Sequence, residues 1–295
     1  MGDLSDVTAG TPFPAQVRWL IEKALEEDVG SGDPTTETLI ADEDLGTAEA
    51  VVRTAGTLVG TEVFAAVFTT LDHRLQVKIL RPDGSRVGPG EVVAQVTGSL
   101  RSILKGERVA LNFLQRLSGI ATETARYVAA VEGLPVRILD TRKTTPGMRW
   151  LEKYAVRMGG GFNHRLNLSD GILVKDNHLA AIRARGISLK DKDMVVRLRL
   201  GSGHLLKIQV EVQSLEEAAE AVEAGADALL LDNMPLEVVR AVVHRYKGQI
   251  LLEASGGITL GNVRAVAETG VDLISIGALT HSPRALDISL EVRSP

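Results

Sequence analysis

The spacing of apolar residues gives this chain three successive textures. Residues 1–14, MGDLSDVTAGTPFP, mix Gly, Pro, Ser and Asp without periodicity, which predicts a mobile lead-in before a helical pattern that starts near Ala15. From about 45 to 100, GTAEAVVRTAGTLVG, LQVKILRPDGSRVGPG and EVVAQVTGSL are short Val-rich runs broken by Gly or Pro-Asp-Gly. Such runs between turn formers predict a small antiparallel sheet. Beyond residue 104, Val109, Leu111, Phe113, Leu114 and Leu117 fit a long buried helix, and a domain junction is expected there.

After that helix, apolar runs ending in polar residues recur: VRILDTRK, LLKIQVEV, ADALLLDN, QILLEASGG and VDLISIGA. From Leu206 onward they start roughly 20 residues apart, separated by amphipathic stretches such as SLEEAAEAVEAG, which predicts parallel β/α units. MVVRLRLGSGH alternates like a strand but stands where the rhythm wants a helix, and is read as helix. If the units close into a barrel, the residues after each strand share one rim, where such barrels keep their active sites. That rim would gather Thr141, Arg142 and Lys143, then Glu211, then Asp232 and Asn233, then Glu253, Ser255, Gly256 and Gly257, then Gly277.

At 295 residues the chain is long enough for two domains of roughly 150 residues each. With 44% hydrophobic and 24% charged residues it should bury a core. A net charge of −5 excludes a general basic field for nucleic acid or anionic lipid, so any anion site is local. The absence of cysteine excludes disulfides and thiolate metal sites and fits a reducing compartment. Neither a signal-peptide core nor an apolar run of membrane length is present; a cytoplasmic protein without membrane partners is expected.

Three segments carry candidate chemistry. TRKTTPGMR puts Arg142, Lys143 and Arg149 within one short stretch closed by a Pro-Gly turn. It is either a solvated basic loop or, placed after a strand, a carboxylate- and phosphate-binding one, since Arg forks onto carboxylates and Lys suits phosphate. GGGFNHR and LSDGILVKDNH add His164, Arg165, Lys175 and His178; alone, the histidines are as readily structural as catalytic. EASGGITLGNV runs a strand through Ser-Gly-Gly, either a phosphate loop or a turn for tight packing. Glu211 and Asp232 at neighbouring strand ends either cap helices or hold magnesium, ribose hydroxyls or a developing positive charge.

Taken in order, ERVALN with SGIAT, TRKTTPG, HR, VKDNH, VEV, LLLDN, EASGGI and ISIGALTHS resemble quinolinate phosphoribosyltransferases, from roughly residue 30 to the C-terminus. The resemblance implies an α/β fold with an N-terminal α/β sandwich domain over 15–115, onto which a segment at about 280–295 is a candidate to pack. An incomplete seven-stranded α/β barrel over 116–279 would carry the active site. It implies transfer of phosphoribose from phosphoribosyl pyrophosphate to quinolinate with decarboxylation, in NAD biosynthesis, by a homodimer or higher homo-oligomer whose active site lies at the subunit interface. Quinolinate would be held by Arg108 from a neighbouring subunit, Thr141, Arg142, His164, Arg165 and Lys175. The phosphoribosyl pyrophosphate side would be Lys143, Glu211, Asp232, Ser255, Gly256, Gly257, Gly277 and His281. Glu211 and Asp232 would take Mg2+, and Glu211, Asp232, Lys143 and Lys175 would act catalytically. Gln209 stands where an acidic residue is common, and it would share Glu211's face unless the strand is bulged. Rival readings are a nicotinate acceptor, a lyase using Lys175 as a Schiff base, and a silent phosphate-binding module.

Overall fold

The computed structural model describes residues 14–183, 186 and 192–293, so the expected lead-in lies outside the described residues except for Pro14. The chain forms two compact units. The first comprises residues up to 122 with 145–158 and the C-terminal segment from 284; the second comprises 123–144 and 159–283.

The first unit begins with α1 (Ala15–Val29) and α2 (Pro34–Leu39). Val17, Ile21 and Leu25 recur at helical spacing on the buried face of α1. Asp33 caps α2 by accepting from the Thr35 and Thr36 backbone N–H groups at 3.1 Å, with Pro34 at the first helical position. Next come β1 (Leu45–Val52), β2 (Gly56–Thr57), α3 (Thr61–Leu71), β3 (Gln76–Ile79), β4 (Arg86–Val87), β5 (Val92–Ser99) and the long α4 (Leu100–Ala130). Segment α5 (Arg149–Met158) and the last strand, β12 (Ile288–Arg293), also belong here. The Val-rich runs form an antiparallel sheet in the order β12-β1-β5-β3, with β2 and β4 as a separate pair. The C-terminal strand pairs with β1 from Thr47↔Arg293 to Val52↔Ile288. Ala48, Ala50, Ala94 and Val96, which share one face of the sheet, are buried, as are Phe64, Phe68 and Ile103 on the helices. Each large buried side chain contributes roughly 1.5–3 kcal/mol, and Phe64 and Phe68 meet edge to face with centroids 5.0 Å apart.

The division falls after Thr122, inside α4, because that helix runs unbroken for 31 residues. Segment 145–158 joins the first unit because Glu152 on α5 is paired with Arg116 on α4.

The second unit holds β6 (Arg137–Leu139), β7 (Ile172–Val174), α6 (Asp176–Arg183), α7 (Lys192–Leu200), β8 (Ile208–Val212), α8 (Leu215–Ala224), β9 (Ala228–Asp232), α9 (Leu236–Tyr246), β10 (Leu251–Ser255), α10 (Val263–Ala267), β11 (Leu273–Ser275) and α11 (Ala278–His281). All strand pairs in it are parallel, in the order β6-β11-β10-β9-β8-β7. The seventh place of the barrel is a single parallel bridge, Leu139↔Phe162, on the free side of β6; the Gly159–Gly161 run before it lacks the side chains to build a full strand. The ring therefore has its gap between Phe162 and β7. MVVRLRLGSGH is helical through Leu200, as the rhythm requires. The best-defined unit is α8, where Ser214 accepts from Glu217 N–H, Glu217 accepts from Gln213 N–H, and Gly225 closes the helix with φ +94°. Among the described residues no helix is long and apolar enough to cross a membrane.

Candidate active site

Parallel order carries the C-terminal ends of all six strands to one side, and a cavity of about 560 Å³ opens there. Its lining includes Thr141, Arg142 and Lys143 after β6, His164 and Arg165 after the Phe162 bridge, Lys175 after β7, Glu211 on β8 and Asp232 on β9. Ser255, Gly256 and Gly257 at the end of β10, with Gly277 and His281 after β11, complete it. The predicted rim residues, apart from Asn233, thus line one cavity. Arg108 is an exposed residue of α4 and does not line the cavity. Nor does Arg149, which opens α5 in the first unit. His178 instead caps α6, its Nδ1 accepting from the Lys175 backbone N–H at 2.9 Å.

On the basic wall the loop after β6 is braced internally. Lys143 N–H donates to Thr141 Oγ1 at 3.0 Å, and Thr280 Oγ1 donates to the Lys143 carbonyl at 2.8 Å. Arg142 Nε is buried and has no hydrogen-bond partner. Arg165 donates to the Gly171 carbonyl at 2.8 Å; its burial, and then the positive charge of Arg142, push its pKa below the usual guanidinium value.

The opposite wall is acidic. Glu211 is buried, and desolvation, then the charges of Asp232 and Asp176, raise it above the usual carboxylate range, with Lys175 acting in the other direction. Between the walls lies the glycine turn. Gly256 has φ +87° and Gly257 φ +61°, and a Cβ on Gly256 would fall 2.3 Å from Asn233 Oδ1. Asn233, at φ +53°, donates to Asp232 Oδ2 at 2.7 Å. At Gly277 a Cβ would lie 2.9 Å from Lys143 Cδ and 3.2 Å from His281 Nε2. The glycine lets both side chains close over the backbone.

Sequence reasoning left several supporting residues without roles. Asp140, fully buried, accepts from His164 N–H and from Asn163 Nδ2. The β8 ladder runs in regular register from Gln209 to Val212, so the expected alternation places Gln209 and Glu211 on one face. Gln209 Nε2 donates to Glu253 Oε2 at 2.8 Å. The i, i+2 parity with Glu211, and of Glu253 with Ser255, was the signal that could have found them.

The N-terminal domain model of quinolinate phosphoribosyl transferase matches residues 33–118, and its C-terminal domain model matches 120–291. The chain is 43% identical over 277 residues to a Bacillus subtilis protein named probable nicotinate-nucleotide pyrophosphorylase [carboxylating], covering 94% of this chain and 93% of the relative. It is 40% identical to the Mycobacterium leprae nicotinate-nucleotide pyrophosphorylase [carboxylating], covering 92% and 95%. The solved structure of the nicotinate-nucleotide pyrophosphorylase from Francisella tularensis superposes with a TM-score of 0.85 at 37% identity, covering 94% of this chain and 96% of that one. With both domain models matched in order along the chain, and relatives of this identity over nearly its full length, the chain belongs to the quinolinate phosphoribosyltransferase family.

Proposed function

We propose that this chain transfers the phosphoribosyl group of phosphoribosyl pyrophosphate to the ring nitrogen of quinolinate, releasing pyrophosphate and carbon dioxide and leaving nicotinate mononucleotide. The observation that carries the acceptor half is the buried Arg142 Nε–H without a partner, beside an Arg165 whose charge is disfavoured by burial and by Arg142 itself. Two neighbouring guanidiniums in a partly dry wall are relieved by an anion, and a planar carboxylate takes paired N–H bonds from such a fork. With His164, Thr141 and Lys175 on the same lining, a pyridine bearing two carboxylates has complementary groups along its edge.

The donor half is the opposite side of the cavity. The Ser255-Gly256-Gly257 turn and Gly277 offer close backbone approach to phosphate, with Lys143 and His281 packed over Gly277. Glu211 and Asp232 sit where cleavage of the C1–pyrophosphate bond builds positive charge on the sugar, as in glycoside cleavage. Glu211's raised pKa comes from burial first and then from the neighbouring carboxylates of Asp232 and Asp176, a situation that a cation relieves. Among the described residues no group of three metal-ligating side chains occurs. A site of two carboxylates fits Mg2+, which binds through one or two carboxylates and substrate phosphates. Bound between Glu211, Asp232 and the donor, Mg2+ would supply neutralisation of the leaving pyrophosphate. The arginine wall orients the acceptor so that its ring nitrogen faces C1, and such positioning supplies much of the rate. Once ribosylated, the ring nitrogen is cationic; the bond from C2 to its carboxylate breaks, the electron pair stays on C2, and C2 takes up a proton. A cytoplasmic homodimer or larger homo-oligomer, with Arg108 reaching a neighbouring subunit's cavity, is part of the same proposal.

The test is incubation of the purified chain with quinolinate, phosphoribosyl pyrophosphate and Mg2+, following pyrophosphate and carbon dioxide together. Equal release of both, dependent on all three components, is expected. Pyrophosphate without carbon dioxide would assign a monocarboxylate acceptor instead, and release of neither would refute the reading.

A further inference from the structure

His164 is held on both ring nitrogens by groups whose donor and acceptor roles are fixed by chemistry. Its Nε2 lies 3.3 Å from Gln209 Oε1 on β8, and the Gln209 Nε2 donates to Glu253 Oε2 on β10 at 2.8 Å. A carboxylate can only accept, so the NH2 end of the amide faces Glu253 and its carbonyl faces His164. A carbonyl also only accepts; His164 Nε2 therefore carries a proton. On the other side of the ring, Nδ1 lies 2.7 Å from the Arg165 backbone N–H, which only donates, so Nδ1 must be bare. Two independent constraints select the same neutral Nε2–H tautomer.

Glu253 anchors this chain of bonds. It is 2% exposed, its Oε1 is buried with no partner, and its Oε2 lies 3.6 Å from His164 Nε2. The Gln209 amide bonds Glu253 Oε2 at one end and the His164 ring at the other. Charged groups near His164 include Asp140, directly after β6, which accepts the His164 backbone N–H at 2.8 Å, and Arg165 with Arg142 beside it.

We infer that Gln209 is a positioning residue that holds the His164 ring in the neutral Nε2–H form, so that the acceptor wall binds with its arginines and lysine as charges and with His164 as an oriented dipole. Beside Arg142, Arg165 and Lys175 in the same lining, His164 in that tautomer presents a fixed N–H donor. The inference deepens the assignment of this wall to the pyridine dicarboxylate and rests on it for its kinetic arm alone.

Histidine-labelled full-length protein tests the tautomer directly by long-range ¹H–¹⁵N spectra, with His164→Asn used to assign the His164 signals. The expected wild-type pattern is a single imidazole tautomer with the proton on Nε2. An Nδ1–H or doubly protonated ring at pH 7 would overturn the inference, whatever the activity. Gln209→Met keeps the side-chain length and removes both hydrogen bonds. It should give a titrating or mixed-tautomer ring and raise the KM for quinolinate about tenfold, the scale of one lost polar contact, with the KM for phosphoribosyl pyrophosphate within about twofold. Unchanged tautomer and unchanged quinolinate KM would sink it. If no turnover is found in any variant, the functional reading fails while the wild-type spectra still decide the role of Gln209.

Discussion

Replacing Arg116 by Met tests how the segment after the basic loop is held. Glu152 is 0% exposed, and its carboxylate accepts from Arg116 Nη2 at 2.8 Å, Arg116 Nε at 3.3 Å, Thr145 N–H at 3.1 Å and Thr145 Oγ1 at 2.9 Å. Met preserves the apolar stem of Arg116 but leaves a buried carboxylate with Thr145 as its remaining partner in this set. Stripping one member from a buried ion pair costs about 3–5 kcal/mol. Arg116 is 28% exposed, so water can partly replace it, and about 2–4 kcal/mol is the expected loss. In a thermal scan this lowers the melting of the first unit by about 4–16 °C, taking about 2–4 °C per kcal/mol. The pair Arg116→Met with Glu152→Leu removes both charges and leaves the Thr145 N–H and hydroxyl without an acceptor, at about 1–3 kcal/mol. The double variant should therefore be more stable than Arg116→Met alone. Thr145 is two residues beyond Lys143, so turnover should fall together with stability in the single variant. A loss below about 1 kcal/mol for Arg116→Met, or a double variant whose loss equals the sum of the two singles, would refute this account of the buried pair.

Further outcomes follow from individual contacts. Arg142→Ala should raise the quinolinate KM by about 10- to 100-fold, the scale of charge-assisted bonds to a carboxylate, with a small effect on phosphoribosyl pyrophosphate; equal losses in both would contradict the assignment of Arg142. Gly256→Ala forces a Cβ onto Asn233 Oδ1 at a residue with φ +87°; a strain of about 1–2 kcal/mol and a higher KM for phosphoribosyl pyrophosphate are expected, and wild-type kinetics would remove the turn from the donor site. Asp72 accepts from Arg74 Nε and Nη2, from Arg74 N–H and from Ser102 Oγ, and the Arg74 bond foremost holds its carboxyl well below the usual range. A depressed folded-state pKa contributes stability that is complete above the unfolded value and lost as pH falls through the folded one. The advantage of wild type over Asp72→Asn, about 1 kcal/mol, should thus be full above about pH 5 and shrink below about pH 4 in urea titrations; an advantage that grows on acidification would refute it.

How much of this could be read from the sequence depended on how local the signal is. The β8 to β11 units were legible because apolar strand segments, most plainly ALLLD in β9, alternate with amphipathic helices such as the capped α8. Their polar ends were legible for the same reason, and the cavity lining includes them. The seventh strand was not, since it is a bridge at Phe162 after three glycines. Segment 145–158 lies with the first unit, where Glu152 pairs with Arg116, 36 residues earlier, a separation that no periodicity spans. The roles of Gln209 and Glu253 depended on a contact between strands 44 residues apart; parity shows that each faces inward, and only the fold shows that they meet.

Strand order also explains why the chemistry is divided as it is. Around the ring the sequence of elements is the Phe162 bridge, β6, β11, β10, β9, β8 and β7. The basic residues Arg142, His164, Arg165 and Lys175 follow β6, the bridge and β7, the elements that flank the gap, whereas the carboxylates Glu211 and Asp232 ride on β8 and β9 and the glycine turns follow β10 and β11. The lining thus gathers cations on the elements that flank the gap and carboxylates on β8 and β9, the two meeting at Lys175 and Glu211, although the chain as a whole carries −5. Because β11 lies beside β6, Lys143 stands at the border of both: its backbone continues the loop after β6, while its side chain packs on Gly277 after β11. Under the proposed function, a lysine there would follow the negative charge that gathers on the leaving group while its neighbour Arg142 would keep the acceptor in place. That division of labour requires β6 and β11 to be adjacent, and parallel pairing from Arg137↔Leu273 to Leu139↔Ser275 makes them so.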